Sequence, residues 1–210
     1  FSMFMRALVT VAVSYLLGNL NGAVLLSKII AHDDIRRHGS GNAGFTNFCR
    51  NYGALTGLLV FGIDAAKAVA ACALGRVLFA PLGFGLEGAV LAAVAVGLGH
   101  DFPALLGFHG GKGIVCGVAS AAMLDWRVAL VALGTFLAIY LITHYVSLGS
   151  ITGAAALFAS FALWHSDRPW AVAGCGVMCA AAIIMHRENI RRLIAGTERK
   201  TDFFKKERRQ

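Results

Sequence analysis

GALTGLLVFGIDAAKAVAACALGRVLFA, residues Gly53–Ala80, decides the fold class. As an α-helix at about 1.5 Å per residue it exceeds the roughly 30 Å of a bilayer's hydrocarbon core. Its only charged residues are Asp64, Lys67 and Arg76, and the rest is mostly leucine, valine, alanine and glycine. Six more stretches of this kind are read outward from it: Phe4–Ile30, Gly85–Gly107, Gly110–Trp126, Val128–Tyr145, Leu148–Trp164 and Trp170–Met185. The whole chain agrees. It is 58% apolar and 14% charged, against about 25% charged in a soluble domain, and its mean hydropathy is +0.69. Its 25 glycines suit helices that associate by close packing in lipid. The expectation is one all-α integral membrane domain, residues 1–210, with about seven transmembrane helices. No signal-peptide cleavage site follows the first apolar run, so it is read as a retained helix.

The charge distribution orients the spans. With seven crossings and an external N-terminus, one face receives Lys28, Arg36, Arg37, Arg50, Lys112 and the nine Lys and Arg residues between Arg187 and Arg209. The other receives Arg6, Arg76, Arg127 and Arg168. The positive-inside rule makes the first face cytoplasmic, with 187–210 as a basic cytoplasmic tail beside anionic lipid and not a nucleic-acid arm. If the short fourth segment were re-entrant, the tail would be exported, against the same rule. The five cysteines have no C-x-x-C spacing and most lie in apolar spans, where they behave as small hydrophobes.

Three polar motifs fall on that basic face. Gly39-Ser40-Gly41-Asn42-Ala43-Gly44-Phe45-Thr46-Asn47, followed by Arg50, combines glycines with hydroxyls and amides. Glycines let main-chain N–H groups close around an anion, and an arginine clamps phosphate in bidentate fashion. Gly107-Phe108-His109-Gly110-Gly111-Lys112-Gly113 runs into the fourth segment. A helix N-terminus with a lysine beside it favours an anion. His186-Arg187-Glu188-Asn189-Ile190 continues through Arg191 and Arg192 to Gly196-Thr197-Glu198-Arg199-Lys200. There an imidazole and an amide share one helical face.

Two further features stand apart. Asp64 and Lys67, at i and i+3 in mid-span, are costly in lipid unless they face the interior. They suit a structural ion pair or a polar substrate cavity equally well. The seven histidines lack H-x-x-x-H or H-E-x-x-H spacing, so no metal is expected.

Together the motifs resemble the acyl-phosphate–glycerol-3-phosphate acyltransferases of bacterial membranes. The resemblance spans the chain through Tyr15-Leu16-Leu17-Gly18, the Gly-Ser-Gly-Asn loop, Asp64 with Lys67, and Gly99-His100 with Phe102-Pro103. It continues through Gly110-Gly111-Lys112-Gly113, Tyr145-Val146-Ser147-Leu148 and His186-Arg187-Glu188-Asn189-Ile190. Phe45, Ala68, Gly149 and Asn19 depart from the usual pattern without removing a charge. The resemblance implies transfer of a fatty acyl group from acyl phosphate to the 1-hydroxyl of glycerol 3-phosphate, giving lysophosphatidic acid and phosphate. It implies no cofactor and an active site on the cytoplasmic side of the inner membrane.

The residue chemistry agrees. An acyl phosphate carries a good leaving group, so the enzyme has chiefly to hold two phosphates, polarise a carbonyl and aim an alcohol. Ser40, Arg50, Lys112, His186 and Asn189 are the expected catalytic residues, with His186 the side chain best suited to take a proton near neutral pH and a substrate phosphate oxygen the alternative acceptor. Gly39, Gly41, Asn42, Thr46, Asn47, Lys67, Gly110, Gly111, Gly113 and Ser147 are expected to bind substrate. The alternative is a small organic-anion transporter. It is disfavoured because the chain shows no internal repeat and the motifs gather at one face.

The topology is testable with an impermeant thiol reagent on intact cells, in a background without the native cysteines. Cysteines placed in 31–52 and at Gln210 should both stay unlabelled. Labelling of Gln210→Cys from outside would overturn the seven-span orientation.

Overall fold

The computed structural model describes residues 2–201. The last four basic residues of the expected tail, and Gln210, lie outside the described residues. Ten α-helices account for most of the rest: α1 (Met3–Asn19), α2 (Gly22–Ala31), α3 (Phe45–Tyr52), α4 (Ala54–Phe79), α5 (Gly85–Asp101), α6 (Ile114–Leu124), α7 (Trp126–Thr143), α8 (Val146–Trp164), α9 (Pro169–Met185) and α10 (Arg187–Ile194). Their ends fall where the sequence supplies stop signals. Ser2 caps α1, Asp125 caps α7, Pro169 opens α9, and His144 closes α7 in the left-handed conformation.

The seven apolar segments all form helices, with two corrections. The first is not continuous: the expected Phe4–Ile30 helix breaks at Leu20–Asn21, and the Asn21 side chain caps α2 by accepting the Val24 N–H at 3.0 Å. The fourth is shorter than the expected Gly110–Trp126. Only Ile114–Leu124 is helical, because Gly110–Gly113 forms an open turn and Trp126 already belongs to α7. Among the described residues, five segments are long and apolar enough to cross a bilayer: Met3–Ala31, Ala54–Leu82, Gly85–Leu106, Trp126–Thr143 and Val146–Trp164. α9 joins them if counted with α10, from which it is bent by 54°. Eleven-residue α6 spans only about 16 Å.

Packing follows helix order. α1, α4 and α5 pack on one another, α7 pairs with α8, α6 wedges between α4, α5 and α7, and α9 leans on α5 and α8. Gly18 and Gly99 set the α1–α5 crossing. A Cβ on Gly18 would come 2.4 Å from the Val96 carbonyl oxygen, and one on Gly99 2.2 Å from that of Tyr15. Outward faces are apolar on every long helix, as lipid contact requires, with Leu16, Leu55, Val77, Ile142, Leu163 and Ile184 all exposed.

Charges separate to the two ends of the bundle. At one end Arg6 bonds the Leu78 carbonyl, Arg76 the Met123 carbonyl, Arg127 the Asp125 carboxylate and Arg168 that of Glu87. Trp126, Trp164 and Trp170 lie at the same end, exposed as an aromatic belt. All three polar motifs lie at the other.

Asp64 and Lys67 fill the break between α1 and α2. Lys67 Nζ donates to the carbonyls of Gly18 (3.1 Å) and Leu20 (2.7 Å), the main-chain acceptors left free where α1 stops. Asp64 Oδ1 accepts the Gly22 N–H at 3.3 Å and pairs with Lys67 at 2.8 Å. Both side chains are buried. Replacing Lys67 with methionine should therefore strand a buried carboxylate and cost about 3–5 kcal/mol of stability. This would be read as a lower Tm of the detergent-solubilised protein and partly recovered by adding Asp64→Asn. An unchanged Tm with lost activity would return Lys67 to a substrate role.

Candidate active site

The first motif is a turn held from beneath by α3. Asn47, buried at the second position after Phe45, spends its amide on the loop's main chain. Its Oδ1 accepts the Ser40 N–H at 3.0 Å, and its Nδ2 donates to the carbonyls of His38 and Asn42, both at 3.0 Å. Asn47 thus shapes the loop, its amide oxygen and nitrogen both engaged by main-chain groups. Gly39, Ser40 and Gly41 are exposed, with Asn42 and Thr46 half-buried. Arg50, one turn past Asn47, reaches the Thr201 hydroxyl.

Arg36, an arginine outside all three motifs, ties this loop to the second. Its guanidinium grips Asp34 at 2.7 Å and holds that carboxyl down at about 2. It also donates to the carbonyls of Leu106 (2.7 Å) and His109 (3.1 Å). The loops meet again where the Ala43 N–H donates to the Gly110 carbonyl at 3.4 Å, and Asn21 donates to the Ala43 carbonyl at 2.9 Å.

The second loop lies on the end of α5. The Gly110 N–H donates to the Asp101 carbonyl and the Gly111 N–H to the His100 carbonyl, both at 3.1 Å. A Cβ on Gly110 would stand 1.9 Å from the His100 carbonyl oxygen, and one on Gly111 2.1 Å from His100 Nε2. These two glycines are required by close approach, and their N–H groups are already used. The side of α6's N-terminus is also occupied: Asp101 Oδ1, buried and without a hydrogen-bond partner among the described residues, lies 3.0 Å from where a Cβ on Gly113 would stand. The loop's free chemistry is Lys112, whose Nζ donates to Asn189 Oδ1.

The third motif begins where α9 bends into α10. His186, buried at the bend, donates from Nδ1 to the Ala182 carbonyl at 2.7 Å. Burial lowers its pKa to about 4, the Lys112 charge assisting. The ring is therefore neutral at pH 7 and a weaker proton acceptor than expected. Beyond Gly196 the chain folds back, and Glu198 becomes the hub of the site. Its Oε1 accepts from Ser147 Oγ and Asn189 Nδ2, both at 2.6 Å, and its Oε2 from Arg192 Nε at 2.7 Å. Burial pushes Glu198 up, but these hydrogen bonds outweigh it and its pKa is lowered. Lys112 is lowered to about 8 by burial and by the charges of Arg192 and Arg50, against the opposing pull of Glu198.

Lys112, His186, Asn189 and Ser147 thus come together around Glu198, with Arg192 in direct contact and Arg50 close enough for its charge to be felt at Lys112. Lys67 does not join them. It sits beneath the second loop, where His100 Nδ1 accepts from its ammonium at 2.9 Å. Asp64, His100 and Cys116 offer metal-ligating atoms within 4.8 Å of one another. Lys67 already places a covalently tethered cation among them. Glu198 and Arg192 stand within the motif the sequence marked, yet their roles depend on a fold-back of the chain that spacing alone does not reveal.

A family model described as glycerol-3-phosphate acyltransferase matches residues 8–196. Curated relatives bearing that name include one from Thermoanaerobacter pseudethanolicus, 39% identical over 93% of this chain and 96% of its own. Another from Anaeromyxobacter dehalogenans is 41% identical over 91% and 96%. Two crystal structures of PlsY (YgiH), an integral membrane glycerol 3-phosphate acyltransferase, superpose on the fold. The glycerol 3-phosphate form does so with a TM-score of 0.84 at 34% identity, covering 93% of this chain and 96% of that one. The lysophosphatidic acid form gives 0.81 at 33% identity, covering 94% and 96%. A multi-pass helical membrane protein whose three polar loops converge on one cationic cluster, and which matches these relatives over nearly its whole length, belongs to the glycerol-3-phosphate acyltransferase family.

Proposed function

We propose that the acyl donor is an acyl phosphate, that the acceptor is the 1-hydroxyl of glycerol 3-phosphate, and that the products are lysophosphatidic acid and inorganic phosphate. The observation that carries this reading is the meeting of Arg50, Lys112 and Arg192 at one loop cluster, tempered by Glu198. Two phosphates must be neutralised while one alcohol attacks one carbonyl, and a cluster of cations with amide and hydroxyl neighbours suits that task. The alcohol oxygen forms its bond to the acyl carbon, the carbon–oxygen bond to phosphate breaks, and the departing phosphate takes up the alcohol's proton. Lys112 and Arg50 hold phosphate charge. Asn189 and Ser147, both held by Glu198, direct the polar ends of the substrates together with Ser40 of the first loop.

In this reading Asn42, Thr46 and the exposed main chain of Gly39 and Gly41 contact glycerol phosphate, whereas Gly110, Gly111 and Gly113 shape the second loop. The cationic end faces the cytoplasm of a bacterial inner membrane, and the seven apolar segments each make one crossing, with short α6 as the fourth. The positive-inside rule supports that orientation. The acyl chain enters from the surrounding lipid. Phosphate release from acyl phosphate on addition of glycerol 3-phosphate tests the donor assignment. Equal turnover with acyl-CoA or an acyl carrier protein as direct donor would refute it.

Lys112→Ala should lower kcat/KM at least about tenfold, since a charge-assisted hydrogen bond contributes roughly 1.5–3 kcal/mol. Lys112→Arg should rescue only in part, because a planar fork does not fit the place of a compact ammonium. Normal kinetics in well-folded Lys112→Ala protein would remove Lys112 from the site.

The working form of Lys112 is the cation, and its pKa lies near 8. Activity is therefore complete below that value and lost as pH rises through it. The profile of kcat/KM should fall by about tenfold per unit above pH 8. In Lys112→Arg this alkaline limb should move beyond the accessible range. A limb at the same pH in both proteins would show that another group titrates.

A further inference from the structure

Thr201 is buried at 5% exposure, although Arg199 and Lys200 just before it are exposed and the family match ends at residue 196. Its main chain is pinned at both polar atoms. The N–H donates to the His144 carbonyl at 3.0 Å, and the carbonyl accepts from the Tyr140 hydroxyl at 3.0 Å. Two main-chain bonds to the end of α7 fix where the side chain points, and its hydroxyl meets Nη2 of Arg50. Lys200 lies over the Tyr145 ring, 5.6 Å from its centre, and Glu198 is held by Ser147, Asn189 and Arg192. Residues 196–201 thus form a strap from the end of α10 to the α7–α8 corner, and its last described residue holds a site arginine.

We propose that Thr201 is a positioning residue for acyl transfer, whose anchored hydroxyl sets the plane of the Arg50 guanidinium so that its fork is presented to a substrate phosphate. The inference rests on the reading that Arg50 binds phosphate. An arginine carries five N–H donors on a long flexible stem, and bidentate recognition requires the plane to be oriented. Fixing one donor against a rigid acceptor orients the others before substrate arrives, which lowers the ordering cost of binding. The hydroxyl takes no part in the chemistry, so its loss should appear in KM for the phosphate substrate that Arg50 holds, and far less in kcat.

The test compares Thr201→Val, which keeps the shape and removes the hydroxyl, with Thr201→Ser, which restores it. Thr201→Val should raise KM for glycerol 3-phosphate or for acyl phosphate about fivefold, with kcat within about twofold and Tm unchanged; Thr201→Ser should behave as the parent protein. In an Arg50→Ala background, itself strongly impaired, Thr201→Val should add nothing, because the two groups act as one unit. Should Thr201→Val not fold, Tyr140→Phe loosens the same anchor and should raise the same KM. A normal KM in Thr201→Val with impaired Arg50→Ala overturns the inference and leaves the phosphate role of Arg50 standing. Full activity in Arg50→Ala overturns both. A Thr201→Val effect that persists in the Arg50→Ala background, or that serine fails to rescue, assigns the strap a purely structural role.

Discussion

An ammonium group enclosed by helix ends governs this architecture. Where α1 stops at Asn19, carbonyl oxygens lose their helical partners in a region without water to replace them, and each such group costs several kcal/mol in hydrocarbon. Lys67, arriving from α4, supplies donors to two of those carbonyls, and Asp64 supplies the acceptor that α2 needs to begin. An ammonium can only donate, so His100 must present Nδ1 to it as an acceptor, which fixes the imidazole's tautomer. That fixed ring lies against Gly111, and the carbonyls of His100 and Asp101 carry the second loop. The second loop in turn bonds the first through Gly110 and Ala43. The pair in mid-bundle therefore sets the place of both glycine loops.

A second charge of opposite sign organises the third motif. Arg50, Lys112 and Arg192 would repel one another if gathered without a counter-ion. Glu198 lies among them and is bonded by Arg192, Asn189 and Ser147, so one carboxylate fastens α8, α10 and the strap together. It also offsets part of the burial that lowers Lys112. The cluster can then remain cationic near neutral pH while its geometry is set from three directions.

Much of the fold was legible because hydropathy and helix length are local properties. Gly53–Ala80 reads as a span whatever surrounds it. The break at Leu20–Asn21 was not legible, since it is made tolerable by a lysine 47 residues away in sequence. Glycines beside a lysine at Gly110–Gly113 suggested an anion nest, but the partners of their N–H groups are carbonyls of α5, a tertiary contact with no periodic trace. Asn47 was found for its amide and proves to shape the loop with it. Arg36 was passed over because an arginine in a polar loop has no signature until its carbonyl partners, about 70 positions onward, are in place. Ser147 and Asn189 were chosen separately, and only the return of the chain at Glu198 joins them.

The surroundings of His186 bear on how the proton moves. A general base works best when its pKa is near the operating pH, and this imidazole is held well below it, with Nδ1 committed to Ala182. In the proposed reaction a leaving phosphate, by contrast, becomes more basic as its bond to the acyl carbon breaks, at the moment the attacking hydroxyl becomes acidic. With acceptor and donor in one reacting pair, the protein need not supply a strong base. What it must supply is the placement of two anions that would otherwise repel, and the side chains gathered here are cations and amides in keeping with that task. The buried ring of His186 keeps a fixed orientation at the α9–α10 bend through its bond to Ala182, while Asn189, one helical turn on, is held by Lys112 and Glu198.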